Sequence, residues 1–250
     1  MASQLDFVIP VYNEGPAIRR VLDALAGHVH AVFRVLIAYD REDDETLAVI
    51  RQMRLPFAIS SVRNEGRGVH SAITSALPET TAPYVLVWPA DDDYNAGRVD
   101  AMLALARSGC EIVCGSRFMP GGRMVGAPLV KATIVRASAA ILYRLARLPT
   151  HDPSNGLRLF SRRLIRTIPL ESTEGFTYSI ELLVKCHRLR WRIGEVPFEW
   201  HERRAGGSRF QLLRWLPAYF VWFRYAFATT YLRRGPASVR VRGANEPLGA

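Results

Sequence analysis

The segment that decides the fold passes from an apolar run into clustered carboxylates, and it reads Tyr84-Val85-Leu86-Val87-Trp88-Pro89-Ala90-Asp91-Asp92-Asp93-Tyr94-Asn95. A short run rich in β-forming residues predicts a buried strand, so the acidic residues stand at its tip. Asp91 and Asp93 are spaced i, i+2, which in an extended chain directs both side chains the same way. The pair could therefore hold one divalent cation against a diphosphate. A solvated acidic turn that caps a helix starting near Gly97 is the alternative.

A second acidic cluster follows another predicted strand. The apolar run at 32–39 leads into Asp40-Arg41-Glu42-Asp43-Asp44-Glu45-Thr46. In an open parallel sheet, ligands bind outside the carboxyl ends of the strands. Two strand ends that both present carboxylates favour a ligand site over a simple helix cap.

The first half of the chain alternates short β-rich runs with amphipathic stretches. Predicted strands lie at 5–11, 32–39, 57–62, 84–88 and 110–115, with helices near 15–25, 44–53, 69–77 and 98–107. This alternation predicts an α/β protein with helices packed on a mostly parallel sheet. The Gly/Pro-rich composition of segment 118–128 predicts a mobile surface loop there. Beyond it we expect a helix at 129–147, a strand at 157–160, a helix at 178–189, a strand at 193–200 and a loose tail from about 235.

Length and composition indicate one large domain with a full apolar core. The chain has 250 residues, of which 49% are hydrophobic. Cys110, Cys114 and Cys186 lack CxxC spacing, which predicts buried thiols in a reducing compartment. No basic segment followed by a long apolar one opens the chain, and no apolar run reaches the roughly 20 residues that cross a bilayer. We therefore expect a cytoplasmic protein.

Positive charge is concentrated in the last fifth of the chain. The formal net charge is +10, and the segment from Arg203 to Arg242 contains nine arginines and no acidic residue. Such a segment is drawn to phosphates. Aromatic residues alternate with arginines at 209–232, which suits a peripheral helix on a membrane surface, a core helix or a dimer contact in a homo-oligomer. Nucleic-acid binding is disfavoured because the acidic strand ends would repel the phosphate backbone.

Several short motifs stand at the ends of the predicted strands. They read Ile9-Pro10-Val11-Tyr12-Asn13-Glu14, Asn64-Glu65-Gly66-Arg67-Gly68, Ala90-Asp91-Asp92-Asp93, Gly115-Ser116-Arg117, Asp152-Pro153-Ser154-Asn155-Gly156-Leu157-Arg158, and Arg203-Arg204-Ala205-Gly206-Gly207-Ser208-Arg209-Phe210. In this order they resemble glycosyltransferase family 2, within it the polyprenyl-phosphate sugar transferases that dolichol-phosphate mannosyltransferases typify. The resemblance implies a GT-A-type fold in one domain, 1–232, with a nucleotide-binding half at about 1–116, an acceptor half at about 117–232 and a loose basic tail at 233–250.

The resemblance also implies roles for individual residues. Asp91 and Asp93 would hold Mg²⁺ or Mn²⁺, although Pro89 stands where the family often has another aspartate. Asp91, Arg117 and Asp152 are the expected catalytic residues, with Arg117 near the acceptor phosphate or the transferred group. The expected donor-binding residues are Pro10, Tyr12, Asn13, Glu14, Asp40, Asp43 or its neighbour Asp44, Gly68, Asp91, Asp92, Arg203, Ser208 and Arg209.

The implied reaction is an inverting transfer from a nucleotide-diphosphate sugar, such as GDP-mannose or a UDP-sugar, to a polyprenyl phosphate. A phosphate acceptor is already anionic near neutral pH and needs no general base. A hydroxyl acceptor, in polysaccharide or small-molecule glycosylation, would need one, and Asp152 is then the leading candidate. A non-catalytic nucleotide-sugar-binding protein is the third alternative. The protein would lie in the cytoplasm or on the cytoplasmic face of a membrane.

Overall fold

The computed structural model describes residues 2–202 and 212–243, and a seven-stranded sheet forms its centre. The strands are β1 Leu5–Val11, β2 Phe33–Tyr39, β3 Ala58–Arg63, β4 Tyr84–Val87, β5 Ile112–Ser116, β6 Arg123–Val125, β7 Arg158–Ser161, β8 Ile193–Pro197 and β9 Glu199–His201. The helices are α1 Gly15–His28, α2 Glu45–Arg51, α3 Gly68–Ala76, α4 Val99–Arg107, α5 Leu129–Arg144, α6 Arg162–Thr167, α7 Thr177–Arg188 and α8 Leu212–Tyr231.

The central sheet is mostly parallel, as predicted. Its strand order is β3-β2-β1-β4-β7-β5-β8, and β7 runs antiparallel to both of its neighbours. The strands β1 to β5 therefore all point their carboxyl ends toward one edge. Within residues 2–202, that edge collects the loops which carry the predicted motifs.

Helices cover both faces of the sheet, which explains why its central strands are apolar runs rather than alternating ones. On one face, α1 and α4 bury their apolar stripes in one cluster with side chains of β1, β2 and β4, and there the Phe7 ring meets Phe33 and Trp88 edge to face at 5.2 Å and 5.8 Å. The other face is covered by α3, α7 and α8, with Trp222 and Ala226 of α8 buried. The α8 segment is thus in part the core helix named above as an alternative.

Asp6 is a charged residue inside the buried strand β1. Arg34 donates two hydrogen bonds to its carboxylate at 2.9 Å and 3.1 Å, and the backbone N–H groups of Thr81 and Ala82 donate at 2.6 Å and 2.9 Å. Burial raises the pKa of Asp6, but Arg34 and the two N–H groups outweigh it and hold the pKa below its usual value. The charge therefore stays on Asp6 and ties β1 to the loop before β4.

The structure differs from the sequence-based expectation at three places. The strand expected at 193–200 is divided into β8 and β9, because Phe198 N–H bonds to Ser116 O while β9 pairs with β6 in a separate two-stranded sheet. The expected mobile loop at 118–128 consequently contains a strand. The expected loose tail packs on the domain in its described part, where Val239 is buried and Arg242 N–H donates to Thr167 O at 2.7 Å.

Cys110, Cys114 and Cys186 are buried free thiols, as predicted. Among the described helices, none combines enough length with enough apolar character to cross a lipid bilayer.

Candidate active site

The turn after β1 is joined to the turn after β2 by hydrogen bonds from its backbone. Asn13 N–H donates to the Asp44 carboxylate at 2.9 Å, and Glu14 N–H donates to the Thr46 hydroxyl at 2.9 Å. Asn13 has a φ of 52°, a left-handed conformation in which asparagine is enriched. Asp44 is buried and also caps α2 by accepting from Thr46 N–H. The two turns predicted to bind the donor therefore form one connected surface.

Asp44 rather than Asp43 makes the contacts that shape the second turn. The Asp43 side chain is exposed and forms an ion pair with Arg41 within the same turn. Its donor contact stays a prediction. Asp44 is buried under the turn, and its carboxylate accepts the hydrogen bond from the backbone N–H of Asn13.

Asp40 holds the loop that precedes α3. Its carboxylate accepts from Asn64 Nδ2 at 2.6 Å and from Gly68 N–H at 3.2 Å. Gly68 has a φ of 81°, which favours glycine at this position. Asp40 and Gly68, both predicted to contact the donor, are thus in contact with each other.

Asp92 lies at the centre of the acidic turn after β4. Its carboxylate accepts from the N–H groups of Tyr94 and Asn95 at 3.1 Å each and from Asn95 Nδ2 at 2.9 Å. Burial raises the pKa of Asp92 to about 7, although the bonds from Asn95 act in the opposite direction. Asp92 was expected to bind the donor, but its carboxylate points inward because these N–H groups surround it. Asn95 also exchanges hydrogen bonds with the backbone of Glu199, which fixes β9 beside the acidic turn.

Asp91 and Asp93 stand on either side of Asp92 and are only partly buried. Asp93 accepts a 3.0 Å ion-pair contact from Arg20 of α1. Within residues 2–202 and 212–243, no group of three or more His, Cys, Asp or Glu side chains could hold a metal ion by itself. Mg²⁺ commonly binds one or two carboxylates together with substrate phosphates and water. Carboxylates are the donor type that such an ion takes, and metal binding by Asp91 and Asp93 stays a prediction.

Arg117 and Asp152 form a buried ion pair at the end of β5. Arg117 donates from Nε to Oδ2 at 2.6 Å, from Nη2 to Oδ1 at 2.9 Å and from its backbone N–H to Oδ2 at 3.0 Å, and the Ser154 hydroxyl donates to Oδ1 at 3.0 Å. Burial raises the pKa of Asp152, but the Arg117 charge and hydrogen bonds outweigh it and keep the pKa below its usual value. Asp152 is fully buried with both oxygens engaged. It orients Arg117, and this geometry does not fit the general base that a hydroxyl acceptor would need.

The segment after Asp152 closes over the end of β5. Asn155 Nδ2 donates to Gly115 O at 2.8 Å. A Cβ atom on Gly115 would lie 2.9 Å from the Leu157 side chain, so the close approach of the two segments requires glycine. The motifs at 115–117 and 152–158 are therefore one structural unit.

The structure shows the position of three further expected donor-binding residues, and their role in binding the donor stays a prediction. Pro10 lies in β1, Tyr12 is exposed and Glu14 is partly buried at the first turn. Arg203, Ser208 and Arg209 lie outside the described residues. The sequence-based prediction gave no individual role to five residues that contact the predicted site residues, namely Arg20, Thr46, Asn64, Asn95 and Ser154. Asn and Ser beside acidic residues in a turn are a general signal for side-chain hydrogen bonds in that turn. The signal does not identify the residue at the other end of each bond.

Comparison with known proteins identifies relatives across most of the chain. The family model of Glycosyl transferase family 2 matches residues 6–168. A dolichyl-phosphate hexose transferase of Haloferax volcanii is 28% identical over 205 residues, which are 82% of this chain and 86% of the relative. A dolichol-phosphate mannosyltransferase of Pyrococcus furiosus is 21% identical over 212 residues, which are 82% of this chain and 59% of that protein.

Solved structures share the fold. Glucosyl-3-phosphoglycerate synthase from Mycobacterium tuberculosis, in complex with Mn²⁺, UDP-glucose and phosphoglyceric acid, superposes with a TM-score of 0.67 at 16% identity, covering 99% of this chain and 90% of the other. Its complex with Mg²⁺ and UDP gives a TM-score of 0.60 at 18% identity, covering 93% and 80%. The predicted GT-A-type fold is confirmed.

Proposed function

The chain belongs to glycosyl transferase family 2, and from that premise we propose that it moves a hexose from a nucleotide-diphosphate sugar to a polyprenyl phosphate. The names of the two archaeal relatives, a dolichyl-phosphate hexose transferase and a dolichol-phosphate mannosyltransferase, support this acceptor class. The observation that carries the proposal is the buried pair of Arg117 and Asp152.

That pair suits an acceptor which is already ionised. A lipid phosphate needs a cation to bind it and no base to activate it. Arg117 provides a guanidinium at the edge of the sheet where the acidic turn also lies, and Asp152 fixes its direction. Since the Asp152 carboxylate is fully engaged with Arg117 and Ser154, it is not available to take a proton from a hydroxyl acceptor.

The donor would lie across the connected turns after β1, β2 and β3. Its diphosphate would face Asp91 and Asp93, the residues expected to hold Mg²⁺ or Mn²⁺. When bound, such an ion supplies positive charge for the departing diphosphate. Asp91 orients the sugar, while the predicted grip of Arg203, Ser208 and Arg209 on the diphosphate belongs to a segment outside the described residues.

Transfer follows as a single displacement. An oxygen of the acceptor phosphate, held by Arg117, attacks the anomeric carbon as the bond to the nucleoside diphosphate breaks. Attack from the face opposite the leaving group inverts an α-linked donor to a β-linked product. The electrons of the broken bond leave with the nucleoside diphosphate. No proton needs to be removed from the acceptor, because its phosphate is already ionised.

The first experiment combines a donor screen with a test of the acceptor. The protein is incubated with GDP-mannose, UDP-glucose or UDP-N-acetylglucosamine, with Mg²⁺ or Mn²⁺, and with or without a short polyprenyl phosphate. We expect a β-glycosyl phosphate product from one donor, only when the lipid phosphate is present. Transfer to hydroxyl acceptors in place of the lipid phosphate would overturn the proposal, and so would donor binding without any transfer.

We further propose that the enzyme works at the cytoplasmic face of a membrane, where a lipid phosphate would be found. For the 209–232 segment, membrane contact was one of three alternatives, beside a core helix and a dimer contact. The described part of this segment buries Trp222 and exposes Phe220 and Val221, so only one face of α8 is free for a membrane contact.

A further inference from the structure

The helix α5 exposes its apolar side chains instead of burying them. Of its residues, only Ala139 and Leu142 are buried. The aliphatic side chains exposed in and directly after the helix are Leu129 at 85%, Val130 at 73%, Ile134 at 51%, Ile141 at 44% and Leu145 at 50%. A surface helix of a globular protein normally turns polar residues outward. An exposed apolar patch of this kind marks a contact with another molecule or with a membrane.

Except for Leu129, these side chains lie on one continuous face. Val130, Ile134 and Ile141 follow one another at i, i+4 and i+11, which places them on the same side of an α-helix. The exposed residues Ala137 and Leu145 continue the row at i+7 and i+15. We call the face made by Val130, Ile134, Ala137, Ile141 and Leu145 the α5 face.

The charged residues in α5 and next to it in the sequence are all basic. No acidic residue occurs between Glu111 and Asp152 in the sequence, and Lys131, Arg136, Arg144 and Arg147 lie in or just after the helix. Arg144 and Arg147 are exposed at its C-terminal end. An apolar face bordered by cations matches an anionic lipid surface, because the aliphatic side chains enter the acyl boundary while the cations meet lipid phosphates.

We propose that the α5 face is the surface by which this protein docks on an anionic membrane. A second copy of the chain is a poorer occupant, because a two-fold contact brings the same patch face to face and adds no acidic side chain from the helix. The Lys131 ammonium already pairs with Glu202 at 2.9 Å and lies 4.6 Å from the Trp200 ring centroid, which anchors the N-terminal end of α5 beside β9.

Docking through this face would bring the acceptor side of the site to the lipid. Two guanidinium groups contact the Phe118 ring, that of Arg136 in α5 at 5.9 Å from its centroid and that of Arg117 at 5.1 Å. A helix lying on the bilayer therefore carries the Arg117 loop with it. This consequence rests on the proposed acceptor, whereas the docking itself does not.

The test is co-sedimentation with vesicles in the absence of any donor or acceptor. Phosphatidylcholine vesicles with and without phosphatidylglycerol are compared for the wild-type protein and for Val130→Glu. The matched control is Val32→Glu, which makes the same replacement at an exposed valine before β2. We expect the wild type to bind only the anionic vesicles, with Val130→Glu weakening the partition about tenfold and Val32→Glu leaving it unchanged.

Three outcomes would overturn the proposal: equal binding by Val130→Glu and wild type, equal loss in both variants, or a wild-type dimer that Val130→Glu converts to a monomer with unchanged vesicle binding. Because Val130 is exposed, its replacement should leave the thermal unfolding midpoint unchanged. Glycosyl transfer to a water-soluble short-chain acceptor is measured in parallel. Loss of vesicle binding with normal transfer separates a failure of docking from a failure of the proposed function.

Discussion

Arg117 and Asp152, 35 residues apart in the sequence, are joined by three hydrogen bonds in which Arg117 is the donor each time. Both oxygens of the carboxylate are used, and the pair is buried at the end of β5. A buried cation held by its own counterion keeps a fixed direction. Arg117 is therefore oriented before any acceptor arrives.

Replacing Asp152 by Asn should weaken acceptor binding without removing a base. We expect the KM for the lipid phosphate to rise about tenfold, since one charge-assisted bond is worth about 1.5–3 kcal/mol, while the affinity for the nucleoside diphosphate stays the same. The pH profile of kcat should keep its shape. Steady-state kinetics from pH 5 to 9 check this, with Ser154→Ala as the milder control. If the acidic limb of the kcat profile disappears at unchanged KM, Asp152 is the base after all.

Asp6 should make the stability of the fold depend on pH. Its pKa is lowered in the folded state, so its contribution is fully present above the unfolded pKa of about 3.9 and is lost as the pH falls through the folded value. Asp6→Asn should cost about 3 kcal/mol at pH 7, because Arg34 loses its buried partner, and the difference from wild type should shrink below pH 4. Urea unfolding between pH 7 and 3 measures it.

The control for this prediction is Asp100→Asn, which removes an exposed partner of His30 and should cost less than about 1 kcal/mol. A difference between wild type and Asp6→Asn that persists at pH 3 would show that the carboxylate charge is not what stabilises β1.

The contact between Arg20 and Asp93 should compete with the metal ion. Arg20→Ala is expected to raise the apparent Mg²⁺ affinity, measured calorimetrically in the presence of UDP or GDP, by up to about fivefold, since an exposed ion pair is worth about 0–1 kcal/mol. Arg19→Ala, at the neighbouring exposed position of α1, should change nothing. Asp93→Asn should lose the metal-dependent part of nucleotide binding. Weaker binding in Arg20→Ala would indicate that Arg20 itself touches the donor.

The two neighbouring aspartates of the second turn should behave differently. Asp44→Ala is expected to lower the free energy of unfolding by about 1–3 kcal/mol and to weaken nucleotide binding, because it removes the α2 cap and leaves Asn13 N–H without its acceptor. Asp43→Ala should change stability by less than about 0.5 kcal/mol. The two variants are compared by thermal unfolding and by titration with the nucleotide. Equal effects would contradict the buried role of Asp44.

The order of the elements in the first half of the chain, and the sheet edge that carries the candidate site, could be predicted from the sequence. The strands β1 and β4 and the acidic turn at 91–93 follow from local patterns of apolar and acidic residues. Such patterns are local, because the direction in which side chains point repeats every two residues in a strand and about every 3.6 residues in a helix. They also place the acidic clusters at strand ends, which the parallel sheet then brings to a single edge.

Only the tertiary structure decided which groups face each other. The Asp92 carboxylate points inward and accepts a hydrogen bond from Asn95, and Asp44 rather than Asp43 binds the backbone of the first turn. The expected strand at 193–200 is divided where Phe198 N–H bonds to Ser116 O. The tertiary structure also leaves the apolar side of α5 exposed. The sequence determined the fold class and the edge of the sheet that carries the site, whereas these pairings depend on segments distant along the chain, and no local pattern of residues contains that information.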